Sequence, residues 1–217
     1  MRAPSGRRQR GQSLPEFAIA ICAFGFLLLA LFQAILFYRA KATLDYAALE
    51  AARAGALHGA NMSDMQTGLA RGIAPLYATA TASPDKTGTF EAFGKALIAA
   101  KALATIKVIN PTPAAFDDFK EAQWDNTQAL PNDTLNFRPT TVGSSSSISV
   151  QDANILKITV SFRYPLIVPV IDRMFGTLDI EQTALAGHEV YSMPIVSGAE
   201  ARMQTPISKR ANLVSAK

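Results

Sequence analysis

The residues best suited to chemistry stand near the N-terminus, around a single glycine. Residues 8–17 read RQRGQSLPEF. A peptidase needs an extended, open backbone at its cut, which Gly11 permits, and Pro15 disfavours helical geometry at the residue before it. A helix can still begin just after Pro15. The spacing therefore predicts a processing site between Gly11 and Gln12, kept unwound ahead of a helix.

Glu16 and Phe17 follow this site directly. A carboxylate in the first turn of a helix is stabilised by the helix dipole by about 0.3–1 kcal/mol, but here it borders an apolar run and needs a partner. In the simpler interpretation, Glu16 is a terminal acid whose side chain reaches into lipid headgroups. In the functional one, it pairs with a group on another chain.

The apolar run from Phe17 to Tyr38 contains no charged side chain. As a helix it measures about 33 Å, against a hydrocarbon core of about 30 Å. Thirteen of its residues are Leu, Ile or Phe, which together favour insertion by about 4–8 kcal/mol. The sequence predicts one membrane-spanning helix at residues 12–38.

Positive charge is concentrated before this helix. The chain has a formal net charge of +4, and without the four arginines of residues 1–11 its basic and acidic residues balance. That distribution argues against a nucleic-acid partner and predicts a cytoplasmic leader, with the bulk of the chain exported. Ordinary secretory cleavage after Ala40-Lys41-Ala42 fits poorly, since a signal-peptide core runs about 7–15 residues.

The helix is expected to continue to Leu57. Small or apolar residues recur at helical spacing on one side of this stretch, which would let another helix approach closely: they are Leu44, Ala47, Ala48, Ala51, Ala52 and Gly55. The stripe suits packing into a filament bundle or docking on the chain's own domain, and the sequence favours neither.

The rest of the chain is predicted as a mixed domain. Helices are expected from Ser63 or Asp64 to Tyr77 and over 90–103, with a strand over 105–109 ended by Asn110-Pro111. Residues 111–154 show no period, but they contain four aromatic residues that predict packed irregular structure rather than a free linker: Phe116, Phe119, Trp124 and Phe137.

Two strands are predicted to complete the fold. Apolar and polar residues alternate over 156–164, and a second strand is expected over 177–191, paired with the first antiparallel. This gives an α+β fold with a long N-terminal helix packed on a small antiparallel sheet. The expected organisation is a leader at 1–11, the span at 12–38, an exported domain at 39–192 and a tail at 193–217.

Residues that could support catalysis are few. His188-Glu189 lacks the second histidine of a helical zinc motif, and the other histidine, His58, stands alone. Cys22 has no partner for a disulfide, and Asp117-Asp118 are adjacent acids expected in a solvated loop. We therefore predict no catalytic residues, no metal, no cofactor and no small-molecule substrate.

Residues 8–17 with the span after them resemble a type IV prepilin processing site. The order of parts, from Gly11 to Tyr38 and on into the Ala-rich helix and the paired strands, resembles the TadE-like minor pilins of tight-adherence (Flp-type) pilus systems. The resemblance is specific over 11–38 and looser beyond it. Pro15 departs from the aliphatic residue more usual at that place.

The resemblance implies cleavage by prepilin peptidase between Gly11 and Gln12, and pairing of Glu16 with the new amine of a neighbouring subunit. It also implies residence in the bacterial inner membrane with a periplasmic domain, other pilin subunits and the secretion machinery as partners, and a part in adhesion and biofilm formation. The alternatives are a membrane-anchored exported binding domain without a filament role and, less favoured, an anchored enzyme.

Overall fold

The computed structural model describes residues 13–78 and 86–213, with only the backbone described at Ser13, Lys86, Thr87 and Leu185. The predicted leader and the processing site at Gly11 and Gln12 lie outside the described residues, as do residues 214–217.

A single long helix opens the structure. Helix α1 runs from Ser13 to Leu57, 45 residues, with Glu16 in its first turn. Pro15 is tolerated there because the first helical N–H groups have no partner within the helix. The predicted continuous helix is confirmed.

Six further helices in the described part of the chain are much shorter than α1. They are α2 (Met62–Ile73), α3 (Lys86–Ala102), α4 (Pro113–Phe119), α5 (Val150–Ala153), α6 (Ile171–Phe175) and α7 (Ile180–Ala186). Short 3-10 turns lie at Ala74–Leu76, Leu135–Phe137 and Arg210–Leu213. The cap of α2 is Asn61, whose side chain accepts from the Ser63 N–H at 3.1 Å, so the helix begins before the expected start at Ser63 or Asp64.

The strands form one main sheet and one small hairpin. In chain order they are β1 (Ala104–Asn110), β2 (Glu121–Ala122), β3 (Gln128–Ala129), β4 (Ile155–Pro165), β5 (Thr177–Leu178) and β6 (Tyr191–Arg202). The main sheet has the order β1-β4-β6-β5 and is antiparallel throughout, while β2 and β3 pair separately. Along β4 every second residue is buried, as its alternation predicts.

The prediction of a strand over 177–191 was wrong. The predicted tail at 193–217 begins inside a strand, β6 (Tyr191–Arg202). Only Thr177 and Leu178 are extended at the beginning of residues 177–191, because Asp179 caps α7 by accepting from the Gln182 N–H at 3.1 Å and Gly187 ends it with φ 74°. The long partner of β4 is β6, which pairs with it from Ile155↔Arg202 to Pro165↔Ser192. The C-terminal half of β6 contains Gly198 and several polar residues, so its sequence does not show the alternation typical of a strand.

The core lies where the second half of α1 meets α2 and the sheet. All six residues of the predicted stripe are buried, five of them completely, and α2 and the strands cover them. A Cβ on Gly68 would lie 2.8 Å from the Glu50 carbonyl oxygen, and one on Gly72 would overlap Ala47 Cα. Glycine thus sets the close approach of α2 to α1.

The connection over 111–154 is ordered, but its aromatic residues do not all pack. Phe116 is buried and Phe119 lies against the core. Trp124 and Phe137 are 96% and 91% exposed, which corrects the prediction for these two residues. Trp124 stands in the turn of the β2–β3 hairpin, and a hairpin of two-residue strands has no face broad enough to bury an indole ring.

Candidate assembly site on the N-terminal helix

The first half of α1 projects free of the domain. Between Leu14 and Leu29 its large apolar side chains are 38% to 76% exposed on all sides of the helix: Leu14, Phe17, Ile19, Ile21, Phe24, Phe26, Leu27, Leu28 and Leu29. A helix that is apolar all round requires an apolar surrounding, either lipid or other helices. We call this stretch, residues 13–29, the free half.

Helix α1 carries the membrane-span signal of the described chain. By length and composition, α1 is the single described helix suited to crossing a membrane, with a mean hydropathy of 2.6 in its best window. Helix α1 therefore fits a single-pass anchor, and the free half is its uncovered part.

Glu16 and Phe17 occupy the first turn of the free half. Both are exposed, Phe17 by 67%. The helix dipole places partial positive charge at this end, so the carboxylate is favoured here while remaining open to a partner. The structure places both predicted residues at one helix end.

Gln33 marks the point at which the domain first holds α1. Its side chain is buried, and its Oε1 accepts hydrogen bonds from the backbone N–H groups of Ile167 and Val168 at 3.2 and 3.0 Å. Sequence reasoning missed this role, since Gln33 stands within a run otherwise interpreted as membrane span. A lone amide side chain within a membrane-spanning run is the sequence signal that could have predicted this role.

Further along α1, two more contacts hold the domain. Ser197 Oγ on β6 donates to Asp45 Oδ1 at 2.7 Å, and the Gln204 N–H donates to the Ala56 carbonyl at 2.9 Å. Burial raises the pKa of Asp45, but hydrogen bonds from Lys41 and Ser197 and the Lys41 charge outweigh it, so the pKa lies below 3.8. We call the second half of α1, residues 30–57, the docked half: the domain covers its stripe, whereas Tyr38 and Tyr46 stay exposed.

Comparison with known proteins bears on this helix directly. Residues 11–53 match the family model described as TadE-like protein. Over these residues the chain is similar to TadE-like proteins. No curated protein and no solved structure matches it.

The match is confined to the start of the chain. It begins at Gly11 and covers Glu16, the free half, Gln33 and the first turns that dock on the domain, and it ends before α2. The family is associated with tight-adherence pilus systems at the membrane, and it is typically not enzymatic. The resemblance seen in the sequence is confirmed over residues 11–53.

The candidate catalytic residues do not come together. His58 Nδ1 donates to the Ala54 carbonyl at 2.9 Å and His188 Nδ1 to the Ala186 carbonyl at 3.2 Å, each a local bond at the surface. Among the described residues, no three His, Cys, Asp or Glu side chains form a group that could hold a metal ion.

The acids Asp117 and Asp118 lie on α4 rather than in a loop, and they diverge. Asp117 pairs with Arg210 at 2.9 Å, and Asp118 accepts from the N–H groups of Ser145 and Ser146 at 3.1 and 2.8 Å. The hydrogen bond from Arg210 lowers the pKa of Asp117. Hydrogen bonds, chiefly those from Ser146, lower the pKa of Asp118. Both acids hold loops in place.

Sequence reasoning also missed a buried acid in the domain. The Asp179 side chain is 2% exposed and accepts from Arg163 at 3.0 Å and from Ser192 Oγ at 3.0 Å. Burial raises the pKa of Asp179, but hydrogen bonds from Gln182 and Ser192 and the charge of Arg163 bring it below 3.8. Arg163 also pairs with Glu181. The cluster ties β4, β6 and α7 together.

Proposed function

We propose that this chain is a minor pilin, or pseudopilin, that acts in assembly of a tight-adherence (Flp-type) pilus. The observation that carries the proposal is the coincidence of the family match with the free half of α1. The matched residues include the glycine, the first-turn acid and the apolar helix that the domain leaves uncovered. An uncovered apolar helix on a folded domain suits storage in lipid and later packing among other helices.

The proposed topology follows from charge. The arginines of residues 1–11 keep the N-terminus in the cytoplasm, the uncharged run of α1 crosses the inner membrane, and the domain from α2 onward lies in the periplasm. Arg39 and Lys41, just past the span, are offset by Asp45 and Glu50, so they do not reverse this orientation.

The proposed mechanism has two steps. Prepilin peptidase hydrolyses the peptide bond between Gly11 and Gln12, which releases the basic leader and leaves an ammonium group on Gln12. Glu16 of one subunit then pairs with the Gln12 ammonium of a neighbour as the free half exchanges lipid for other helices. A charge pair at the edge of an apolar bundle is strongly favoured over an unpaired carboxylate there.

One observation favours the alternative, an anchored exported binding domain without a filament role. The small-residue stripe of α1 is covered by the chain's own domain, so it does not offer a filament contact. The two functions differ in the fate of the N-terminus, since an anchor that never assembles has no need of a free amine on Gln12.

The mature N-terminus tests the proposal. Intact-mass and N-terminal peptide spectrometry of the chain from its own cells should find Gln12 as first residue. Gly11→Leu, or loss of prepilin peptidase, should leave the leader attached. Gly25→Leu is the matched control, because nothing lies within 4 Å of a Cβ at Gly25, and it should be processed normally. A chain starting at Met1 or at Thr43 in wild-type cells would contradict the proposal.

A further inference from the structure

A second apolar surface lies outside α1, on the segment that joins β4 to β5. We call this segment, residues 166–175, the apolar end. It contains four large or branched apolar side chains that point away from the core: Ile167, Val170, Met174 and Phe175 are 64%, 57%, 60% and 60% exposed. Such a cluster on an exported domain indicates a surface that is covered by something.

The apolar end sits at the end of the domain nearest the free half. Three hydrogen-bonded contacts fix the direction in which α1 runs along the domain. Gln33 contacts Ile167 and Val168, Asp45 contacts Ser197, and Ala56 contacts Gln204. The domain therefore extends from residues 167–168 toward residue 204 as α1 runs from residue 33 to residue 56.

The contact between α1 and the apolar end is close and mostly apolar. One shared groove of about 480 Å³ is lined from both sides, by Ala30, Gln33 and Phe37 of α1 and by Leu166, Ile171 and Phe175 of the apolar end. The depth of the apolar end in a membrane is therefore set by the depth of residues 30–37 of α1.

Those residues of α1 fall within the span. The free half is about 25 Å long at about 1.5 Å per residue, which is short of the hydrocarbon core of about 30 Å. The uncharged run continues to Tyr38, and the first charged side chain beyond it is Arg39. A bilayer that covers the full uncharged run reaches the level of Gln33 and so the level of the apolar end.

The chemistry of the apolar end suits the boundary between lipid and water. Its Arg173 contacts Glu189 at 3.4 Å and lies 5.9 Å from the centre of the Tyr191 ring, a combination of charge and ring that is favoured at headgroup level. Val170 adopts φ 74°, a conformation rare for a branched residue, and it exposes an apolar side chain there. Strain of this kind is kept at functional sites.

We propose that the apolar end inserts into the lipid interface of the same bilayer that α1 spans, on the leaflet facing the domain. This inference rests on the proposed membrane insertion of α1. The exposed side chains of the apolar end then insert among the lipids and hold the domain on the membrane: Ile167, Val170, Met174 and Phe175. The two hydrogen bonds to Gln33 join the apolar end to the span. The occupant is lipid, continuous with the lipid around the free half.

Lipid quenching tests this in the full chain. In a Cys22→Ala background, an environment-sensitive fluorophore is attached at Met174→Cys or Ile167→Cys, and the protein is reconstituted in phosphatidylethanolamine–phosphatidylglycerol vesicles with spin-labelled lipids. Leu28→Cys reports on the span. Val142→Cys is the matched control, because it is 66% exposed and lies beside the loop that Asp118 holds, far along the chain from the apolar end.

The expected result is strong quenching at 28, quenching at 174 and 167 at least half as large, and none at 142. Quenching at 28 with 174 and 167 behaving like 142 would overturn this inference and leave the anchor intact. No quenching at 28 would overturn both. Fluorescence changes at 174 that vanish when the protein is diluted in lipid would assign the surface to a second copy of the chain and overturn the lipid proposal.

Discussion

Two polar side chains of α1, one within the apolar run and one just before it, have different roles. Gln33 is buried and held by two backbone N–H groups of its own domain. Glu16 is exposed in the first turn, where its own domain does not reach. The first joins the helix to the domain, and the second is placed to meet another molecule.

Glu16→Gln should leave processing intact and impair assembly. The neutral amide keeps the size of the side chain but removes the charge that we propose pairs with the Gln12 ammonium of a neighbour. Loss of a desolvated charge pair costs about 2–5 kcal/mol, so recovery of the chain with other pilus subunits after mild detergent extraction should fall by about tenfold or more.

Glu50→Gln is the control for that experiment, since Glu50 pairs with Arg53 at 3.1 Å on the docked half of the same helix. It should co-purify as wild type does. Equal recovery of the Glu16 and Glu50 variants would remove the proposed role of Glu16.

Asp179 should make stability depend on acid. Its folded-state pKa is lowered below 3.8, so its contribution is present above that value and is lost as pH falls through the lower, folded-state pKa. Asp179→Asn should cost about 1–3 kcal/mol at pH 7, and the gap to wild type should narrow below about pH 4. Urea unfolding in detergent, followed by circular dichroism, measures both.

Glu181→Gln is the matched control for Asp179, because Glu181 pairs with the same Arg163 but its side chain is 53% exposed. Its effect at pH 7 should stay within about 1 kcal/mol. A gap between Asp179→Asn and wild type that is constant from pH 7 to pH 3 would refute the assignment.

At the scale of elements, the pair α1 and α2 depends on glycine. Gly72→Ala should destabilise the domain by about 1–3 kcal/mol, because its Cβ would overlap the backbone of Ala47 and force the helices apart. Gly94→Ala on α3 meets nothing within 4 Å and should be neutral or stabilising by up to about 1 kcal/mol. Urea unfolding measures the free energy of unfolding of both variants. Equal effects would show that the close approach of α2 to α1 is not required.

Gln33→Leu should loosen the apolar end while leaving the fold intact. The Ile167 and Val168 N–H groups lose their acceptor, a cost of about 1–3 kcal/mol if they stay buried. Hydrogen exchange at these two amides should speed up by about tenfold or more. Phe32→Leu, next to it and 57% exposed, should change neither rate, and unchanged exchange in Gln33→Leu would show that Gln33 does not hold the segment.

The elements that could be predicted are those whose pattern is local. The length of α1, its buried stripe and the alternation of β4 follow from helical and strand periods within one segment. The partner strand of β4 could not be identified from one segment alone, because Asp179 and Gly187 cap helix α7 where a strand was expected. Whether the stripe packs in a filament or on the chain's own domain depends on Gly68 and Gly72. These residues lie outside α1, so the periodicity of α1 does not indicate the outcome.

The candidate site divides in the same way. Glu16 and Phe17 were recognised from their spacing to Gly11, and the structure places them at the exposed end of α1. No role was predicted for Gln33, because its partners Ile167 and Val168 lie more than a hundred residues away. Contacts across such separation follow from the fold and not from a motif.

At the scale of the molecule, the chain is a folded α+β domain bound to the second half of a helix whose first half is uncovered. The arrangement separates two tasks. In the proposed topology the docked half holds the domain close to the membrane surface, and the free half can exchange one apolar surrounding for another without disturbing the core. The domain's own contacts with α1 begin at Ala30 and Gln33, so this exchange need not unfold it.

Site-specific photo-crosslinking in living cells tests the central claim most directly. A photoreactive residue replacing Ile19, 73% exposed on the free half, should crosslink to other pilus subunits while the pilus assembles, and the same residue replacing Leu44, fully buried under the domain, should not. If position 19 yields adducts with lipid alone in cells that are producing pili, the free half is only an anchor and the assembly role is contradicted.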